Sequence, residues 1–361
     1  MIKMEKINGS YLEKKVEKHN GENSIKPLII AGPCSAESPE QLLEAANSLK
    51  SGGNVDYFRA GLWKPRTSPD SFQGVGAVGL NWLREVKQET GMMVATEVGC
   101  EKHALEALKF DVDLLWIGAR TVSNPFIVQE IAEALRGVDI PVLVKNPLNP
   151  DLELWLGAIA RFMKQGISQV GAIHRGFSLW GRSVYRNPPI WKIQRSLQER
   201  LPGITMVCDP SHIAGKRSLL PLVSRKAMQE GANGLMIEVH PDPVNAMSDA
   251  PQQLNPKSFY NLIRDLDLHS RHASSAADPL IDELTSEIDQ VDELLVHTIA
   301  SRMELSRQIA MMKNSDCSGD LQPANLEKAL ERLHLLASDD GLRPDFVHRL
   351  FYEIQRESCN M

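Results

Sequence analysis

LLWIGAR (114–120) is a short apolar run that stops at a glycine and delivers an arginine. Working outward from it, the same design recurs along the chain. Upstream stand LIIAG (28–32) ahead of Cys34, VDYF (55–58) ahead of Arg59 and MMVAT (92–96) ahead of Glu97. Downstream stand PVLV (141–144) ahead of Lys145, VGAI (170–173) ahead of Arg175, TMVC (205–208) ahead of Asp209 and His212, and GLMI (234–237) ahead of Glu238. Segments of helical character lie between the runs, among them 38–50, 79–90, 124–137 and 151–166. Near-continuous apolar strands suit a parallel sheet covered by helices, and strand–helix–strand units at this spacing are right-handed crossovers. Eight such units, each ending in a residue able to do chemistry, predict an α/β chain folded as a (β/α)8 TIM barrel with its site on the C-terminal rim. An open doubly wound sheet is the alternative, and eight similar units favour closure.

The chain has 361 residues and a net charge of −6. One barrel takes about 250 residues, so residues 28–268 accommodate it and leave a smaller domain over. No apolar stretch approaches the ~18 residues of a membrane span. Residues 1–27 are charged and lack the apolar core of a signal peptide; they read as a tail, either mobile or a short helix under the barrel. Five cysteines, Cys34, Cys100, Cys208, Cys317 and Cys359, are odd in number and without framework spacing, which predicts free thiols and a cytoplasmic location. No Lys/Arg run suggests nucleic acid, so basic residues at strand ends are expected to meet small anionic ligands.

HSRHASSAADP (269–279) is small, polar and aperiodic, and reads as a linker. Beyond it, residues 281–313 hold no Gly or Pro, and apolar residues fall at 284, 288, 291, 295, 305, 309 and 312. That pattern predicts a helix of some 50 Å at 1.5 Å per residue. It is too long to bury its stripe alone, so a partner helix or a second copy of the chain is expected. Pro323 and Pro344 open two shorter helices, 323–338 and 344–358. The 280–361 segment is therefore read as an all-α three-helix domain, and the chain as a homodimer or homotetramer.

Closing the barrel brings its last strand beside its first. Cys34, His212, Glu238 and Asp249 then share one sector of the rim and can converge on a divalent ion with a mixed S, N, O, O shell. Such a shell suits Mn2+, Fe2+, Co2+ or Zn2+ and does not choose among them. Any one of these residues alone would read as core; Cys100 and Cys208, which lack such company, read as packing residues. The remaining rim carries Arg59, Lys64, Arg66, Arg120, Lys145 and Arg175. Together they could hold two phosphates and a carboxylate, through arginine forks and lysine point charges, with Thr67 and Ser68 as added donors. Salt bridges stapling the rim to Glu97 or Asp209 are the structural alternative.

AGPCSAES (31–38), KPRTS (64–68), IGAR (117–120), VLVKNP (143–148), GAIHRGF (171–177), DPSH (209–212), IEVH (237–240) and MSDAPQQ (247–253) resemble the type I beta 3-deoxy-D-arabino-heptulosonate-7-phosphate (DAHP) synthases. The resemblance spans 28 to about 265. It implies a cytoplasmic shikimate-pathway enzyme that condenses phosphoenolpyruvate with erythrose 4-phosphate. Arg59, Lys64, Arg120, Lys145 and Arg175 would bind phosphoenolpyruvate. Arg66 and Thr67 would hold the phosphate of the aldehyde. A divalent ion, manganese first, would sit at Cys34, His212, Glu238 and Asp249, with Lys64 as a proton donor. The related octulosonate-8-phosphate synthases usually lack Pro-Arg in this loop, so KPRTS favours erythrose 4-phosphate over arabinose 5-phosphate. A binding protein on a catalytically dead barrel is the non-enzymatic alternative, and the complete residue set argues against it.

EIDQVDELLVHTIASRMELSRQIAMMK (287–313), ALERL (329–333) and VHRLFYEIQRES (347–358) resemble the all-helical chorismate mutases. By that resemblance Arg302 and Lys313 would bind chorismate or prephenate, with Ser358 near the site. Arg302 sits on the apolar stripe itself, where a charge needs an anion; a partner carboxylate in a dimer is the structural alternative. Thr285 and Asn325 stand where the family usually has arginines, and the chain ends at Met361, about where a glutamine would follow. Two readings result: a second, mutase activity, or a weakened mutase fold that senses its ligand and regulates the synthase.

Overall fold

The computed structural model describes residues 16–19, 22–53, 55–180, 183–270, 279–313, 333 and 341–359. A two-stranded antiparallel hairpin, β1 (Val16–His19) and β2 (Glu22–Ile25), precedes the barrel. This corrects the expectation of a tail or short helix. Asn20-Gly21 between the two strands is the sequence signal for such a hairpin, and charge alone had masked it.

Eight parallel strands follow: β3 (Leu28–Gly32), β4 (Tyr57–Arg59), β5 (Met93–Val98), β6 (Leu114–Ile117), β7 (Val142–Lys145), β8 (Val170–His174), β9 (Thr205–Cys208) and β10 (Gly234–Glu238). They close in chain order, with β10 beside β3 in the register Met236 to Ile30. The expected runs are the observed strands, shifted by a residue or two at their ends. Ile30, Leu114, Trp116, Leu143, Ile173, Val207 and Met236 fill the barrel interior. A second, larger core lies between the sheet and its helices. Gly32 is required by close approach, since a Cβ there would stand 2.1 Å from Arg59 O.

The helices are α1 (Pro39–Ser51), α2 (Val78–Thr90), α3 (Glu101–Lys109), α4 (Ala119–Val122), α5 (Pro125–Ala134), α6 (Leu152–Lys164), α7 (Trp191–Arg200), α8 (Pro210–Ala214), α9 (Leu220–Gln229) and α10 (Pro256–Ser270). Their starts follow capping chemistry. Ser38, Asn124, Asp151 and Asp209 each accept a backbone N–H of the first turn, and Pro39, Pro125 and Pro210 occupy the first helical position.

The chain divides into two compact units near Ser275. The second holds α11 (Pro279–Lys313), 35 residues long, and α12 (Pro344–Cys359). Both were expected; the helix expected over 323–338 and most of the linker lie outside the described residues. Met303, Val347, Ile354 and Ser358 are buried between α11 and α12. Ile288, Val291, Leu295, Leu305 and Ile309 of the α11 stripe are exposed within the chain. Among the described residues no helix is long and apolar enough to cross a membrane.

Candidate active site and metal centre

Cys34 lies two residues beyond β3, its backbone N–H bonded to Gln253 Oε1 at 2.9 Å and its Sγ 3.3 Å from Asp249 Oδ2. Glu238 closes β10, its N–H bonded to Ser211 Oγ at 3.0 Å and its Oε2 accepting from Gln252 Nε2 at 2.7 Å. Asp249 has a left-handed backbone (φ 48°), a strained conformation of the kind found at functional loops. One donor atom from each of Cys34, Glu238 and Asp249 lies within 4.8 Å of the other two. His212, on α8, stands beside this group rather than within it: its Nε2 is 3.9 Å from Glu238 Oε1.

The electrostatics suit a cation. Glu238 Oε1 is buried and makes no hydrogen bond; the Arg59 guanidinium meets it at 3.5 Å as an ion pair, which leaves the oxygen capacity to accept a further cation. The Cys34 thiol is pushed up to about 12, by burial first and then by Glu238 and Asp249, so the thiol favours its neutral form, and a metal bound there would have to displace the proton. Burial opposes charge on Asp249, yet His212, Arg186 and Lys64 hold it well below the usual carboxylate range. Burial lowers the pKa of His212 against the opposing pull of Asp209 and Glu238, a direction that favours the neutral imidazole a metal ligand needs. A thiol, an imidazole and two carboxylates fit a borderline divalent ion.

The cations gather over the same rim. A cavity of about 430 Å3 is lined by Lys64, Arg66, Arg120, Lys145, Arg175 and Arg186, with Glu97 and Asp249 as its acidic residues. Lys64 Nζ donates to Cys34 O and approaches Cys34 Sγ, both at 3.0 Å. Burial disfavours its charge, but Cys34, Glu238 and Glu97 more than offset this and raise its pKa. Arg66 Nε donates to Phe72 O at 3.0 Å, and Arg120 Nη2 reaches Thr67 Oγ1 at 3.4 Å. Arg175 is held by Asn187 Oδ1 at 2.8 Å. Burial lowers its pKa to about 10, and it stays charged.

Arg59 does not line the cavity. Its guanidinium is buried, donates to Cys34 O at 3.1 Å and lies 3.5 Å from Glu238 Oε1 and 4.8 Å over the Trp116 ring. Its Nε and Nη1 are buried without an acceptor. The stapling alternative describes Lys145, which bonds Asp209 Oδ2 at 2.9 Å. Glu97 takes the Trp116 indole N–H instead. Cys208 is buried core, whereas Cys100 is half-buried at the start of α3.

Three residues gained no role from sequence. Arg186 Nη1 donates to Asp249 Oδ1 at 3.0 Å and to Gln252 Oε1 at 2.7 Å. Gln252 and Gln253 orient Glu238 and Cys34. The paired glutamines lay inside a quoted motif; Arg186 had no apolar run before it to mark it.

In the helical unit, Arg302 Nη1 donates to Ser358 Oγ at 2.7 Å and Nη2 to Gln355 Oε1. Both acceptors are neutral. Lys313 ends α11, but its side chain and that of Thr285 lie outside the described residues, as do Asn325 and Met361.

A model of the DAHP synthetase I family matches residues 10–270, and one of chorismate mutase type II matches 284–361. Phospho-2-dehydro-3-deoxyheptonate aldolase of Thermotoga maritima is 35% identical over 238 residues, 66% of this chain and 68% of the relative. 2-Dehydro-3-deoxyphosphooctonate aldolase of Legionella pneumophila is 32% identical over 244 residues, 63% and 85% of the two chains. The crystal structure of the Thermotoga maritima DAHP synthase aligns at a TM-score of 0.62 and 31% identity, covering 72% of this chain and 74% of that one. A truncated form of the Thermotoga enzyme aligns at 0.60 and 28%, covering 72% and 93%.

Proposed function

The chain belongs to the DAHP synthetase I family and carries a chorismate mutase type II domain, and from that premise we propose a divalent-metal-dependent synthase that condenses phosphoenolpyruvate with erythrose 4-phosphate. The observation that carries the reading is one cavity lined both by Arg120, Lys145 and Arg175 and by Arg66 and Thr67 of the loop after β4. Two phosphate-bearing substrates need two such grips.

Phosphoenolpyruvate is placed on Lys145, Arg175, Arg120 and Lys64, with the buried Arg59 adding positive potential from beneath. Arg66 and Thr67 hold the phosphate of the aldehyde and so direct its carbonyl toward the Cys34, His212, Glu238 and Asp249 set. Cys34, His212, Glu238 and Asp249 would hold a divalent ion, which would supply Lewis-acid polarisation of the carbonyl. C3 of phosphoenolpyruvate forms the new bond to the aldehyde carbon, whose oxygen takes a proton from Lys64. Water adds its oxygen at C2, one of its protons restoring Lys64 and the other going to phosphate, which departs with the bridging oxygen as the C2–O bond breaks. Fixed cations favour this sequence because they are oriented before charge develops; fixing both substrates removes most of the entropic cost of their meeting.

Steady-state consumption of phosphoenolpyruvate by the full chain, with Mn2+ and either aldehyde, tests the reading. Erythrose 4-phosphate is the expected acceptor. Preference for arabinose 5-phosphate would make the enzyme an octulosonate-8-phosphate synthase. Activity that survives complete removal of divalent ions would end the metal assignment.

For the helical domain we infer binding of chorismate or prephenate. Among the described residues Arg302 is held by neutral acceptors, and its charge suits a ligand carboxylate. The exposed α11 stripe supports association of two or more copies of the chain.

A further inference from the structure

The loop between β4 and α2 is held by unequal means. Lys64 is anchored directly, through its two 3.0 Å contacts with Cys34. Arg66 is bonded within the loop to Phe72 O and, among the described residues, otherwise comes to 4.0 Å from Asp249. Thr67 has the long 3.4 Å contact with Arg120. The loop closes on itself through Lys64 N–H to Gln73 O and Gly76 N–H to Leu62 O, both 2.9 Å. The side chain that joins this closed loop to the neighbouring strand-end loop is Trp63.

The Trp63 ring stacks on His103, with centroids 4.0 Å apart and planes 9° from parallel. His103 stands in the first turn of α3, just after β5, and its Nδ1 accepts the Gly99 N–H at 3.3 Å. The ring is therefore fixed to the end of β5 on one side and to the β4 loop on the other. We propose that Trp63 and His103 are a positioning pair that sets Arg66 and Thr67, and so the grip on the phosphate of the acceptor aldehyde. Lys64 has its own anchor, so the pair governs one substrate and not the other. The proposal rests on the assignment of Arg66 and Thr67 to the aldehyde phosphate.

Steady-state kinetics of the full chain, with each substrate varied in turn, tests it. His103→Ala raises KM for erythrose 4-phosphate about 2- to 10-fold, the loss that one aromatic pair permits. KM for phosphoenolpyruvate and kcat stay within about twofold. His103→Phe keeps a ring but no Nδ1 acceptor, and returns the aldehyde KM to the wild-type value; His103→Asn keeps an acceptor without the ring and behaves like alanine. Trp63→Leu matches His103→Ala, and the double variant adds nothing further. An unchanged aldehyde KM in His103→Ala, equal damage to both KM values, or failure of phenylalanine to rescue overturns the proposal. Wild-type protein that does not use erythrose 4-phosphate removes the assignment of Arg66 and Thr67 instead, and that outcome is visible before any variant is made.

Discussion

Asp209 lies 2.8 Å from His212 Nδ1, which leaves Nε2 as the nitrogen that faces Glu238. The same carboxylate bonds Lys145 Nζ at 2.9 Å. One buried acid thus joins the candidate metal ligands to the cations of the cavity. A carboxylate at this distance from Nδ1 would favour the tautomer that a ligating histidine needs.

Asp209→Asn keeps the size of this side chain and removes its charge. Loss of such an outer partner typically weakens metal binding 10- to 100-fold, and a drop of that order in Mn2+ affinity is expected by titration calorimetry. Because Lys145 loses its counter-charge as well, KM for phosphoenolpyruvate should change in the same variant. Unaltered Mn2+ affinity would show that Asp209 does not orient His212 for a metal.

Lys64 touches Cys34 yet contributes no donor atom of its own to the metal set. Lys64→Ala is therefore expected to abolish turnover while holding Mn2+ within a few-fold of wild type. The two readouts separate a proton donor from a strut of the metal site. Joint loss of activity and metal would assign Lys64 to the second role.

Much of this was readable because a sheet covered on both faces writes itself as continuous apolar runs. LIIAG and TMVC are strands from end to end. Where the reading slipped, the polar residue at a strand end still takes part in the ladder: Glu97 lies within β5 and His174 within β8. The sequence order of Cys34, Glu238 and Asp249 sufficed to bring them together, since closure of the barrel makes β3 and β10 neighbours. The rank of His212 within the set depended on the short α8 turn after Asp209, which spacing alone does not fix. Arg59 likewise lies within its strand rather than after it, and a strand residue points either into the barrel or out of it. Here it points beneath the cavity, to Cys34 O and Glu238. Arg186 comes from an irregular segment whose path depends on tertiary contacts.

His174 predicts an acid sensitivity separate from catalysis. It is fully buried beside Trp155, Phe177 and Trp191, with Nδ1 at 2.8 Å from Gln194 Oε1. Burial lowers its pKa from 6.5 to about 4. Above pH 6.5 both folded and unfolded states hold it neutral, so its contribution to stability is fully present there. Between pH 6.5 and 4 the unfolded chain binds the proton first, and stability falls as the pH falls. The full loss is ~3 kcal/mol, complete once the pH passes below the folded value. Urea titrations from pH 7 to 4 should show this slope, and His174→Gln should flatten it. An equal slope in the variant would place the acid sensitivity elsewhere.

Arg302 decides what the helical domain does. The rearrangement of chorismate needs no nucleophile; a site accelerates it by clamping two carboxylates in a folded conformer and supporting charge at the ether oxygen. Among the described residues Ser358 and Gln355 orient Arg302 and neither carries a charge, an arrangement that suits a ligand carboxylate. Removing one partner of such a charge pair costs about 2–5 kcal/mol, and Arg302→Ala should weaken chorismate binding by roughly 30-fold or more. Calorimetry on the full chain measures this without requiring turnover. Parallel loss of chorismate absorbance then separates the two uses of the domain. Binding that depends on Arg302 and proceeds to prephenate makes the chain bifunctional despite Thr285 and Asn325. Binding without turnover leaves a sensor, because the clamp would then hold the ligand without enough cations to favour its transition state. Binding that ignores Arg302→Ala would make this arginine a structural tie between α11 and α12.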